Sequence, residues 1–119
     1  MAVDFAAAVA KILDQYKDGI IADTKQLTKK FAQQGAKELK SASGIFGGTG
    51  AYAKGWKTKV ETNRFGASAV IYNEKPGLPH LLENGHAKRG GGRVPGRTHI
   101  APVEEKLVKE FTKAVENAI

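Results

Sequence analysis

From residue 3 to residue 40 most apolar side chains fall three or four positions apart. They stand at Phe5, Val9, Ile12, Tyr16, Ile20, Leu27 and Phe31, with Leu39 near the end, and polar or charged residues fill the other face. This period predicts one long amphipathic helix, because residues at that spacing line a single stripe of an α-helix. Asp4 is placed to cap its start or to act as a first-turn acid. Gly19 and Gly35 are the points at which it is expected to bend or stop, since glycine is a poor helix former. Unbroken, such a helix measures roughly 55 Å at ~1.5 Å per residue. A compact domain of this size has a radius of gyration of only ~13–14 Å. The helix therefore either breaks at a glycine and packs on its own sheet, or overhangs its domain and needs a neighbour to cover its stripe.

After a glycine-rich segment, 41–52, expected to be a flexible loop, the period changes from helical to alternating. Trp56, Thr58 and Val60 fall on one side and Lys57, Lys59 and Glu61 on the other, which predicts a half-buried strand. Asn63 to Gly66 carries turn chemistry. Residues 67–73 form the return strand, with Ala67, Ala69 and Ile71 sharing a face. Pro76 and Pro79 end it. A short helix is expected over Leu78–Asn84, stopped by Gly85 as a glycine just past a helix end. Residues 98–101 are expected as a last short strand. Pro102 then opens a C-terminal helix, where a missing N–H costs nothing, with Glu104 and Glu105 at its positive end. Its stripe is Leu107, Val108, Phe111, Val115 and Ile119. The fold class is α+β in a single domain: a long N-terminal helix (1–40), a loop (41–52), a hairpin (53–75), a short helix with a basic loop (76–102) and a final helix (103–119). Both long helices pack on one face of a small antiparallel sheet.

Composition narrows the picture. The 119 residues suffice for one core. Cysteine is absent, which excludes disulfides and thiolate metal sites and suits a reducing compartment. The first ten residues carry Asp4 and no basic run ahead of an apolar stretch, so no signal peptide is expected. No apolar run approaches the ~20 residues that span a bilayer, so no membrane partner is expected, and synthesis in the cytoplasm is. The net charge of +7 is unevenly spread. Residues 76–102 hold four basic residues against one acid, whereas 103–119 hold three against four. A basic middle suits nucleic acid through counterion release and equally suits an acidic protein surface.

The densest chemistry lies between Leu81 and Pro102, where Lys88, Arg89, Arg93 and Arg97 join His86 and His99 in a glycine-rich loop. The loop is anchored by Leu78, Leu81 and Leu82 on one side and by Ile100 on the other. It is long for a compact domain and too polar to make a core, so it is expected to order against a partner. His80, Glu83 and His86 have the i, i+3 spacing of metal ligands, but Gly85 is expected to end the helix before His86, and hydrogen-bonded or surface histidines are the reading adopted. No cofactor is expected. Arg97 and His99 with Glu83 suggest a nuclease constellation that lacks the carboxylate cluster such chemistry uses. Ser41, Ser43 and Ser68 have no acid–base signature beside them. The four glycines of 41–52 are not followed by the Gly-Lys-Ser/Thr of a phosphate loop. Trp56, Phe65 and Tyr72 have faces for stacking bases, without an RNP-type pattern, and core packing is the reading for Trp56.

Two segments together carry a family likeness. These are Tyr72-Asn73-Glu74-Lys75-Pro76 running on to Leu81-Leu82-Glu83-Asn84-Gly85-His86, and Gly92-Arg93-Val94-Pro95-Gly96-Arg97-Thr98-His99-Ile100-Ala101-Pro102-Val103-Glu104. With the Gly55-Trp56 strand and the order of elements, the chain resembles the small tail-component, or head–tail joining, proteins of long-tailed double-stranded DNA bacteriophages. The resemblance directly covers about the last half of the chain. It implies a structural, non-catalytic protein of the virion neck or tail-completion region, assembled in the host cytoplasm. Such a protein forms a homo-oligomeric ring around the DNA channel and contacts other neck and tail proteins, with non-specific contact to packaged DNA. Under this reading Glu83, His86, Lys88, Arg89, Arg93, Arg97 and His99 are the interface or loop-ordering residues, and Gly85, Pro95, Gly96 and Pro102 shape the loop. The residues alone leave open a basic nucleic-acid-binding module or a small metal-dependent nuclease.

Overall fold

The computed structural model describes residues 4–119; the expected helix start at residue 3 lies outside them. Helix α1 (Phe5–Ala42) is followed by a 3-10 turn (Ser43–Phe46), helix α2 (Ala51–Lys54), strands β1 (Trp56–Asn63) and β2 (Gly66–Asn73), helix α3 (Leu78–Asn84), strands β3 (Gly85–Ala87) and β4 (Arg93–Pro95), and helix α4 (Ala101–Ala118). The architecture is α+β, with two long helices and two small antiparallel hairpins.

Helix α1 runs unbroken through both glycines for 38 residues, and the Asp4 carboxylate caps it by accepting the Ala7 N–H at 3.0 Å. Gly35 is there for closeness. A Cβ at this position would lie 2.5 Å from Ile71 Cδ1 and 2.7 Å from Leu107 Cδ1, so the missing side chain lets the hairpin and α4 approach α1 from two sides. The β1–β2 hairpin pairs Trp56 with Asn73 through to Asn63 with Gly66. Its turn is held by the Asn63 side chain, which accepts from the Phe65 and Gly66 amides. Trp56, Thr58, Val60, Ala67, Ala69 and Ile71 are the buried or half-buried face, and Lys57, Lys59, Glu61, Ser68, Val70 and Tyr72 are exposed, as the alternation predicts. Helix α4 returns antiparallel along α1. Lys106 pairs with Glu38 at 2.6 Å, Gln34 donates to Glu110, the Phe31 and Phe111 rings meet edge to face at 5.6 Å, and Tyr16 reaches the Ile119 carbonyl.

Two expectations are corrected. Segment 41–52 is structured: α1 extends to Ala42, and the turn and α2 send Ser43 and Tyr52 into the core. The apolar Phe46 and Tyr52 give that segment something to bury. Residues 98–101 form no strand. The pairing partner of β3 is β4, three residues earlier, and α4 already begins at Ala101. Pro102 does stand in the first turn of α4.

The core is small. Leu39, Tyr52 and Trp56 form its buried cluster, with Phe46, Ile71, Leu78, Leu82, Ile100 and Val103 packed around it. It lies at the C-terminal end of α1. Toward the N-terminus the burial fades, and every residue from Asp4 to Gly19 is exposed. The molecule is accordingly a rod, 87 × 22 × 21 Å, with a radius of gyration of 21.1 Å. The choice between a broken helix and an overhanging one is resolved in favour of overhang.

Candidate functional site

The two segments that carry the family likeness fold onto each other at the core end of the rod. Helix α3 is short because Pro79 sits in its first turn and Gly85 stops it with φ +80°. Gly85 and Gly96 then lie back to back. A Cβ on Gly85 would strike the Val94 carbonyl, and one on Gly96 would strike the Glu83 carbonyl. Both obstacles are backbone, so no side chain is tolerated at either position without moving the strands. The Arg97 N–H donates to the Leu82 carbonyl at 2.8 Å and continues the closure.

Glu83 is the centre of this arrangement. Its Oε1 accepts the His99 and Ile100 amides at 2.7 and 2.9 Å, and its Oε2 accepts the Ala101 amide at 3.0 Å. These N–H groups belong to the start of α4, where helices leave donors unsatisfied. A negative charge there also meets the positive end of the helix dipole. Burial pushes the Glu83 carboxyl upward, but the three amides and the neighbouring His99 outweigh it and hold the group below its ordinary value. Helix α4 is thus capped by a residue 18 positions away in the chain, which is why no local capping signal precedes Ala101.

His99 completes the clamp from inside. Its side chain is 1% exposed, with Nδ1 2.9 Å from Glu83 Oε1 and 2.8 Å from the Arg97 carbonyl. Two acceptors facing Nδ1 assign the ring hydrogen to that nitrogen. In the neutral ring Nε2 accepts from the Tyr52 hydroxyl at 2.7 Å. Burial pushes the Tyr52 phenol up, the Ser43 hydroxyl opposes this, and the Glu83 charge adds to it, so the phenol keeps the proton it donates. The Phe46 ring packs edge-on against His99 with centroids 4.7 Å apart. Trp56 Nε1 donates to Ser43 Oγ at 2.8 Å, and Asn73 Nδ2 donates to the Tyr52 carbonyl at 2.9 Å. The buried polar residues Ser43, Asn73 and His99 are therefore all partnered, as low-dielectric surroundings demand.

Carboxylate, imidazole and hydroxyl follow one another in the order of a catalytic relay. The hydroxyl at its end is a phenol buried in the core, however, as is the imidazole it meets. The array works as a staple joining α2, α3 and the start of α4.

The basic residues lie outside this staple. The loop was expected to order only against a partner; instead its base is ordered by its own chain. His86 pairs with Val94 and is exposed, and Lys88 and Arg89 form the exposed tip with Gly90–Gly92. Arg93 donates to the Asn84 carbonyl, and Pro95 faces Gly85 across the β3–β4 ladder. Arg97 donates to the Ile45 carbonyl at 3.1 Å and lies over the Phe46 ring. Among the described residues none of the four cations pairs with a carboxylate. His80, Glu83 and His86 do not converge: His80 bonds Asn84, and Glu83 is committed to backbone amides. Among the described residues no group of three or more His, Cys, Asp or Glu is arranged to hold a metal ion, and no helix is long and apolar enough to cross a membrane.

The sequence singles out Glu83 and His99 but not Tyr52 and Phe46, which receive His99, nor the parts that Ser43 and Asn73 play in holding Trp56 and Tyr52. The available signal was the run Ile45-Phe46 and the Tyr52–Trp56 spacing inside a stretch dominated by glycine.

Comparison of the chain with protein-family models, with curated proteins and with solved structures finds no match.

Proposed function

We propose that this chain is a structural protein of the neck or tail-completion region of a long-tailed double-stranded DNA bacteriophage, joining head to tail as a ring of identical subunits. The observation that carries the reading is the bare half of α1. Phe5, Val9, Ile12, Leu13 and Tyr16 are each more than half exposed on a helix that its own fold leaves uncovered. Soluble monomers seldom expose a contiguous apolar stripe of this kind, and such stripes mark interaction surfaces. A subunit that offers one surface and receives another on a different face forms a closed ring when the rotation between neighbours closes, and a filament when it does not. The mutual folding of Leu81–His86 with Gly92–Glu104, through Glu83 and the Gly85–Gly96 contact, gives a physical reason for those two segments to occur together, and it supports the resemblance they carry. Repeated around a ring, the Lys88–Arg89 tip becomes a circle of positive charge suited to an encircled phosphate backbone or to an acidic face of an adjoining ring.

The test is imaging and sedimentation of the purified full chain. Ring-shaped particles that dissociate on dilution are the expected result, and a monomer that neither assembles alone nor binds phage necks lacking their completion protein contradicts the reading. A second reading, a nucleic-acid-binding module, is favoured by the four cations without carboxylate partners. It predicts DNA binding whose affinity falls with salt at a logarithmic slope near about −3.6 for four phosphate contacts. A flat salt response would dismiss it.

A further inference from the structure

Helix α4 and the β1–β2 hairpin each pack on α1, and their Leu107 and Ile71 side chains come together over Gly35. Between them lies an open apolar groove of about 590 Å³, with Phe31 and Ala32 in its floor, Ala69 and Ile71 on the hairpin wall, and Leu107 and Val108 on the α4 wall. This is room for roughly four groups of benzene size. We infer that this groove is the seat of the exposed N-terminal stripe of α1 from a second copy of the chain, so that subunits join head to tail. The inference rests on the ring reading above and makes its contact specific.

Length, area and charge support this occupant. The groove meets α1 at Thr28, Phe31, Ala32 and Leu39, with Ile71 and Leu107 bridging it over Gly35, and the stripe runs from Phe5 to Tyr16; end to end each spans eleven steps, or ~17 Å at ~1.5 Å per residue. The accessible surface is 8619 Å², against ~6,200 Å² for a compact monomer of this mass. The surplus of roughly 2,400 Å² accommodates two interfaces of ~800 Å² per partner, one donated and one received. Residues 4–23 hold four acids and two bases, whereas 24–119 hold seventeen bases and eight acids. Like charge disfavours body-to-body and stripe-to-stripe association at long range, and opposite charge favours stripe-to-body. The unbroken α1 carries the stripe away from its own groove.

The absence of native cysteine makes each introduced thiol unique. Val9→Cys in one full-length preparation and Ala69→Cys in another are mixed and treated with a short bismaleimide. Val108→Cys, on the exposed opposite wall, serves as a second groove position should Ala69→Cys fold poorly. The expected product is a dimer that forms only in the mixture and is lost when Ile12→Asp is added to the Val9→Cys chain. Dimers of Val9→Cys alone would show stripe-to-stripe pairing and overturn the groove assignment while leaving self-assembly standing. An intrachain crosslink in the Val9→Cys, Ala69→Cys double variant, at monomer mass, would show the stripe folding onto its own groove and overturn both the assignment and the overhang on which the ring reading depends. No crosslink in a wild-type background that still forms rings would refute the groove alone, whereas no crosslink in a strict monomer would refute both.

Discussion

The two halves of α1 share a period and differ in what fills it. The C-terminal half presents Ala32, Gly35, Ala36 and Leu39 to the hairpin and α4, and all four are buried. The N-terminal half presents Phe5, Val9, Ile12, Leu13 and Tyr16 to solvent. Small residues mark the side where the chain's own backbone comes close, as the Gly35 contacts with Ile71 and Leu107 require. The large residues of the first half stand more than half exposed, with Tyr16 at its inner end reaching the Ile119 carbonyl. Hydrophobic periodicity reports which face of a helix seeks cover, while burial along that face separates cover supplied by the same chain from cover still owed by a neighbour.

The comparison is broken most forcefully at the buried end. Glu83→Ala leaves the three amides without their acceptor and removes one of the two acceptors facing His99 Nδ1, and each net hydrogen bond to a charged group contributes about 1.5–3 kcal/mol. A loss of at least ~3 kcal/mol in chemical denaturation is expected, and a loss under ~1 kcal/mol would remove Glu83 from the centre of the clamp. Gly85→Ala forces a Cβ into the Val94 carbonyl at positive φ, and such strain costs about 1–3 kcal/mol. The same denaturation curve checks it, with a neutral result showing that the β3–β4 turn yields. Trp56→Phe keeps most of the ring but frees the Ser43 hydroxyl, for an expected loss of ~1–2 kcal/mol.

Acid sharpens the same end. The folded Glu83 carboxyl titrates below its ordinary value of 4.5, so the native state holds this proton less tightly than the unfolded chain. Its stabilisation is complete above about pH 4.5 and is lost as pH falls through the lower folded value. Glu83→Gln should therefore lose stability at neutral pH and show a shallower decline below pH 4.5 than wild type. Parallel decline in the two proteins would show that other carboxylates govern acid unfolding.

The smallest change in stability is expected at the bare end. Ile12 is exposed on the uncovered half of α1, so Ile12→Asp should shift the stability of the isolated subunit by under ~0.5 kcal/mol, measured where the protein is monomeric. Backbone amides of residues 5–15 should exchange rapidly in the monomer and slow on assembly, because a helix segment without tertiary cover is marginal alone. Fast exchange in both states would leave the stripe outside the interface.

Much of this was legible in the chain. The period of α1, the alternation of β1 and β2, the stop at Gly85 and the place of Pro102 in the first turn of α4 all rest on local rules, and local rules act within a few residues. The clamp does not. Glu83 caps a helix that begins at Ala101, Tyr52 meets His99 across 47 positions, and Gly85 needs Gly96 because two backbones cross. Those relations exist only in three dimensions, so residues such as Tyr52 read as loop and residues 98–101 read as strand. The basic tip was found by composition alone, since nothing in its geometry beyond exposure distinguishes it.

The most direct test of the central claim is the solution mass of wild type and Ile12→Asp across a concentration series. The account predicts that wild type passes from the 12.7 kDa subunit to a closed ring as concentration rises, while Ile12→Asp stays at subunit mass. Equal masses for the two proteins at every concentration, whether both monomeric or both assembled, would contradict it.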